Sequence, residues 1–205
     1  MTATLLLVRH GQTTWNRDGR IQGWADSTLT ERGREQARAL GSHLSAEYDV
    51  DRLVASDLRR TRETVGLLEE AGVGPDPEFE RAWRERDFGD LQGLTRAEIA
   101  ERIPEYDPDG SLLAVESVPG GESLSAFEER VLDGWERLVE ELGEGETAAV
   151  VTHGGPIRAV VAAVSGRELA AVAPELSPTN CGVTEFRCAT DYSVVRRDVT
   201  DHLSL

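Results

Sequence analysis

Two uninterrupted apolar runs stand out along the chain, and each ends in a histidine followed by glycine. Leu5-Leu6-Leu7-Val8 leads into Arg9-His10-Gly11, and Ala148-Ala149-Val150-Val151 leads into Thr152-His153-Gly154-Gly155. A short apolar run that stops at Gly predicts a strand of a parallel sheet, buried on both faces. Elsewhere the period is helical. Thr30 predicts the start of a helix through about Leu44, with Ala37, Leu40 and Leu44 on its apolar side. Leu124, Phe127, Val131, Trp135, Leu138 and Leu142 recur at helical spacing, and Ser125-Ala126-Phe127-Glu128 reads as their capping box. Leu53-Val54-Ala55 predicts a short strand, Ser56-Asp57 a cap for a helix through Leu68, and residues 72–77 a loop. Pro156 suits the first turn of a helix that follows His153. Residues 181–187 and 192–199 predict two late strands, paired as a hairpin. Strands alternating with helices give an α/β layered sheet. Ligands of such sheets bind beyond the carboxyl ends of the strands, so both imidazoles are expected at one mouth.

At 205 residues the chain reads as one domain, 1–205, large enough for a substantial core. The segment 103–122 carries Pro104, Pro108, Gly110, Pro119, Gly120 and Gly121, and is expected to be an irregular, lid-like loop at a substrate entrance. No run approaches the roughly 20 apolar residues of a membrane helix, and no secretory signal opens the chain. Cys181 and Cys188 make neither a disulfide framework nor a zinc pattern, so a cytoplasmic, reducing compartment is expected.

The charge changes the picture. There are 38 acidic against 22 basic residues, a formal net charge of −16, and every basic residue is Arg. Such a surface repels nucleic acid and anionic lipid, and it also fits a halophile-like adaptation to a salt-rich cytoplasm. An acidic protein that binds an anion must concentrate cations locally. Arg9 precedes His10, and Arg59, Arg60 and Arg62 crowd a helix start where the macrodipole disfavours them. A bound anion resolves that conflict.

A histidine can attack phosphorus and split one difficult step into two. Gly11 leaves room for backbone N–H groups to approach a ligand, and Asn16 is placed to orient the ring or to bond an anion oxygen. The leaving alcohol then needs a proton, for which a glutamic acid shielded by partial burial is suited. Glu85, in Trp83-Arg84-Glu85-Arg86-Asp87-Phe88-Gly89, is the candidate.

Taken in order, several blocks resemble the histidine phosphatase superfamily, which includes the cofactor-dependent phosphoglycerate mutases. They are Leu7-Val8-Arg9-His10-Gly11-Gln12-Thr13 with Asn16, Arg20-Ile21-Gln22-Gly23, Leu29-Thr30-Glu31-Arg32-Gly33 and Ser56-Asp57-Leu58-Arg59-Arg60-Thr61-Arg62. Glu85 through Gly93, Pro119-Gly120-Gly121-Glu122-Ser123 and Thr152-His153-Gly154-Gly155 complete the set. The resemblance implies a phosphoglycerate mutase-like α/β fold of three layers, with a mostly parallel central sheet and helices on both faces. It implies that His10 becomes phosphohistidine, that Arg9, Arg60 and His153 hold the phosphoryl group, and that Glu85 is the proton donor. Asn16, Gln22, Gly23 and Gly154 would line the phosphate site. Neither a metal nor another cofactor is implied.

Thr28 stands where the family usually has Pro, and Thr61 where Ala is frequent. Arg59 competes with Arg60 for the phosphate role, and register favours Arg60. Mutases of the family carry paired Arg that grip a substrate carboxylate, whereas Tyr106 through Leu113 here holds no Arg and two acids, Asp107 and Asp109. That points to a phosphoric monoester hydrolase of the histidine acid phosphatase type, acting on a small phosphorylated metabolite, with Arg96 available for a substrate anion. A 2,3-bisphosphoglycerate-dependent mutase and a non-catalytic phosphate-binding relative are the alternatives. A homodimer is an open assembly. Trp15 and Trp24 either border the pocket or pack, and His43 and His202 receive no role.

Overall fold

The structure is a computed structural model that describes residues 2–103, 106 and 111–203. The first apolar run forms β1 (Ala3–Arg9), followed by the one-turn α1 (Thr14–Arg17), α2 (Glu31–Glu47), β2 (Arg52–Ala55), α3 (Arg59–Glu70) and the two-residue β3 (Glu78–Phe79). After α4 (Arg96–Arg102) and α5 (Leu124–Glu141) come β4 (Thr147–Thr152), α6 (Gly154–Val164), α7 (Leu169–Val172), β5 (Val183–Cys188) and β6 (Tyr192–Val199). One sheet takes the strands in the order β3-β2-β4-β1-β5-β6. Neighbours from β3 to β1 run parallel, β5 lies antiparallel to β1, and β6 closes the expected hairpin.

Both strands that lead to the histidines are central, which explains why they are apolar throughout. Leu5 and Leu7 pack with Phe127, Trp135 and Ile157 on one face, under α5 and α6. Leu6 and Val8 pack with Leu40, Leu44 and Val65 on the other, under α2 and α3. Each such fully buried aliphatic side chain contributes about 1.5–3 kcal/mol, so these strands are anchored from both sides. Because β1 and β4 pair in parallel with Arg9 opposite Thr152, His10 and His153 emerge side by side at the sheet's carboxyl edge.

Two caps differ from expectation. The N-cap of α3 is Leu58, with no side-chain cap, because Asp57 is held by Arg84 at 2.6 Å through both oxygens and Ser56 Oγ lies 2.9 Å from His153. The cap of α5 is Ser123, whose side chain accepts from Ala126 N, so Ser125 already lies in the first turn. Within 103–122, Leu112–Ala114 forms one 3₁₀ turn, while Pro104, Pro108 and Gly110 fall outside the described residues. Among the described residues no helix is long and apolar enough to cross a membrane.

Candidate active site

The ends of β1 and β4 and the start of α3 open into one cavity of about 240 Å³. Arg9, His10, Asn16, Gln22, Gly23, Arg60, Glu85 and Gly154 all line it, and His153 stands against His10 with ring centroids 5.1 Å apart. All nine expected site residues thus converge on one place.

Hydrogen bonds set the ring states. His10 Nδ1 lies 2.8 Å from Gly11 O, and a carbonyl can only accept, so the proton is on Nδ1 and the Nε2 lone pair is unprotonated. Asn180 Nδ2 fixes the segment by donating to His10 O at 2.9 Å and to Asn16 Oδ1 at 3.2 Å. At His153, Arg60 Nε donates to Nδ1 at 3.2 Å, which leaves the ring proton on Nε2, donated to Ser56 Oγ. Burial, then Arg60 and Arg9, hold His10 well below the usual imidazole range. Burial, Arg60 and His10 do the same to His153. Both rings are therefore neutral near pH 7, and the first keeps an unprotonated Nε2.

The cationic wall is also shaped by burial. Arg60 is 1 % exposed and also donates to Gly23 O at 2.7 Å and Ala25 O at 3.1 Å. Arg9 donates to Pro178 O at 2.6 Å, while its Nε is buried without a partner among the described residues. Burial lowers each guanidinium to about 10, with Arg158 adding to the effect on Arg9, so both stay charged at neutral pH. Two neutral imidazoles flanked by such cations form an anion site rather than a metal site.

Glu85 reaches the cavity because glycine faces it. Gly155 N donates to Glu85 Oε2 at 3.1 Å, Arg86 N donates to Oε1 at 3.0 Å, and a Cβ on Gly155 would collide with Oε1. Next to it, Arg86 is fully buried and donates to the carbonyls of Leu113, Val115, Glu116 and Glu122. The 113–122 segment is thereby tied to the residue beside the proposed proton donor.

Some expectations change. Gly11 N donates to Thr64 Oγ1 at 3.1 Å, and the space for a Cβ is filled by Gly33, so this glycine serves packing rather than ligand approach. Asn16 Oδ1 accepts from Thr13 N and Asn180 Nδ2, and among the described residues it makes no hydrogen bond to the His10 ring. Of the three Arg at the start of α3 only Arg60 enters the site; Arg59 pairs with Glu63, and Arg62 covers the Phe79 ring. Neither Trp15 nor Trp24 lines the cavity: Trp24 Nε1 donates to Glu85 O at 2.6 Å, and Trp15 packs on Gly93. Arg96 does line the cavity, with Nη1 donating to Tyr106 at 3.0 Å. The sequence reading missed Ser56, Asn180 and Arg158. For Arg158 a signal existed, since it is the lone charge in the apolar helix α6.

A three-layer α/β sheet with two histidines, arginines and a glutamate at one strand edge defines a phosphoryl-handling enzyme. Residues 5–199 match the model of the histidine phosphatase superfamily, branch 1, and the chain belongs to that superfamily. It is 42% identical over 165 residues to 2,3-bisphosphoglycerate-dependent phosphoglycerate mutase 2 of Gloeobacter violaceus, covering 78% of this chain and 74% of that protein. It is 39% identical over 158 residues to the metal-independent phosphoserine phosphatase of Arabidopsis thaliana, covering 76% and 66%. Among solved structures, YhfR of Bacillus stearothermophilus superimposes with a TM-score of 0.89 at 29% identity, over 98% of this chain and 100% of that one. Relatives thus include both mutases and phosphatases.

Proposed function

We propose that the chain is a metal-independent phosphomonoesterase that works through phosphohistidine on a small phosphorylated metabolite in a reducing, cytoplasmic setting. The observation that carries this reading is the unprotonated Nε2 of buried His10 facing a cavity walled by Arg9 and Arg60. In the first step the Nε2–P bond forms, the ester P–O bond breaks, and the alcohol oxygen takes a proton from the Glu85 carboxyl. In the second, Glu85 takes a proton from water as its oxygen attacks phosphorus, the P–N bond breaks, and orthophosphate leaves. Arg9 and Arg60 neutralise charge on the equatorial oxygens throughout, the electrostatic contribution expected to be largest. Hydrolysis is favoured over return of the phosphoryl group because 103–122 offers no paired Arg to hold a substrate in place between transfers.

Phosphorus NMR on 3-phosphoglycerate with trace 2,3-bisphosphoglycerate, beside an aryl phosphate, tests the reading. Orthophosphate from either ester, lost in His10→Ala, is the expected result. Formation of 2-phosphoglycerate without orthophosphate would make the chain a mutase, and binding without turnover of any ester would make it a non-catalytic relative.

A further inference from the structure

Arg158 has the surroundings of a ligand-binding side chain and no part in the chemistry above. It sits one turn into α6 and lines the cavity beyond Gly154 and Gly155. Its Nε donates to Leu176 O at 2.5 Å, which fixes the plane of the guanidinium. Among the described residues, its two terminal nitrogens donate to no protein acceptor and no carboxylate forms an ion pair with it. A fixed guanidinium with an unused two-nitrogen edge matches the geometry of a carboxylate or phosphate.

Its neighbours show where such an anion would sit. A Cβ built on Gly154 would lie 3.3 Å from Arg158 Nη1 and 4.0 Å from Arg9 Nε, so the two guanidinium groups flank the same glycine. Arg158 also feels the charges of Glu85 and Arg96, and all three line the same cavity. Glu85 marks the leaving-oxygen side of the ester. Arg158 therefore lies beside Arg9 of the phosphoryl clamp and near the group proposed to protonate the leaving oxygen. Its cost is evident: among the described residues this partly buried cation, close to Arg9 and Arg96, has a carbonyl as its hydrogen-bond partner. The nearby Glu85 attracts it without an ion pair or hydrogen bond among the described residues, the carboxylate accepting from Arg86 N and Gly155 N instead.

We infer that Arg158 is a specificity residue that receives a second anionic group, carried on the alcohol part of the substrate a few atoms from the phosphoryl ester. The substrate class is then a doubly anionic phosphomonoester rather than a neutral sugar or alkyl phosphate. The inference rests on the phosphomonoesterase reading and sharpens it.

A matched pair of esters tests it. 3-Phosphoglycerate and glycerol 3-phosphate differ only in a carboxylate that replaces a hydroxymethyl group, and propane-1,3-diol bisphosphate supplies a phosphate instead. Orthophosphate release by the wild-type chain is measured on all three, and then on Arg158→Gln and Arg158→Lys. The expected result is that wild type favours 3-phosphoglycerate, the bisphosphate, or both, over glycerol 3-phosphate by about tenfold or more in kcat/KM. Arg158→Gln is expected to erase most of that ratio and Arg158→Lys to keep part of it. The better of the two dianionic esters identifies the second group as carboxylate or phosphate. Equal wild-type turnover of all three esters would overturn the inference, and needs no folded variant. So would a loss in Arg158→Gln that is equal on all three, which would make Arg158 a third arm of the phosphoryl clamp. No orthophosphate from any ester would instead refute the phosphomonoesterase reading.

Discussion

Replacing Ser56 by Ala probes the least obvious support of the site. Ser56 is fully buried, and its Oγ accepts from His153 Nε2 at 2.9 Å. The ring cannot escape the loss by moving its proton to Nδ1, because Arg60 Nε, a donor only, already points there at 3.2 Å. Ser56→Ala thus leaves a buried N–H unsatisfied, which costs about 1–3 kcal/mol. For a chain of this size that is a fall in Tm of about 2–12 °C. Part of the cost is relieved if the ring rotates, and rotation moves it away from the phosphoryl position. We therefore expect kcat to fall by about tenfold or more with a smaller change in KM, while Ser56→Thr restores both. Denaturant unfolding gives the stability, steady-state kinetics the split, and nitrogen-15 NMR of the imidazole the tautomer. A wild-type His153 protonated on Nδ1, or a Ser56→Ala chain as stable and active as its parent, would refute the reasoning.

Glu85→Gln keeps the hydrogen bond from Gly155 but removes the transferable proton; kcat on alkyl phosphates is expected to drop about 10²–10⁴-fold. The drop should be smaller on aryl phosphates, whose alcohols leave unprotonated, and equal losses on both would argue against the proton-donor role. Arg86→Met strips four carbonyls of their donor and is expected to cost at least about 3 kcal/mol by chemical unfolding; a neutral outcome would show that 113–122 is held by other contacts. His10 and His153 are depressed in the fold, so the unfolded chain binds protons near pH 6.5 that the native state refuses. Stability should be unaffected by this pair above about pH 7 and should decline as pH falls through about 6.5 toward the native values. A Tm that stays flat from about pH 7 to about pH 5.5 would contradict the burial of these rings.

The parts of the fold legible in the sequence were those where one physical demand dominates. The runs before His10 and His153 had to be apolar on both sides, because β1 and β4 are covered by helices on both faces. The stripe from Leu124 to Leu138 could only be a core-facing helix. The site residues were legible through the ordered blocks they occupy. Side chains with two claims on them were misread. Ser56 and Asp57 have the composition of a cap, yet His153 and Arg84 take them instead, a competition invisible until α3 and β4 lie together. Asn180 belongs to an irregular stretch without period, so nothing local ties it to His10 O, 170 positions away. Gly11 was read for ligand access, while its neighbour in space is Gly33, on another element.

The cavity and the rest of the molecule carry opposite signs. Five arginines line the pocket of a protein whose formal charge is −16. An approaching anion is first repelled at long range and attracted only on arrival. The Debye length at 0.1 M salt is about 10 Å, so added electrolyte screens the outer repulsion, while Arg9 and Arg60 lie too deep to lose their pull to counter-ions. Association should accelerate as ionic strength rises, the reverse of enzymes whose surface field steers the ligand in.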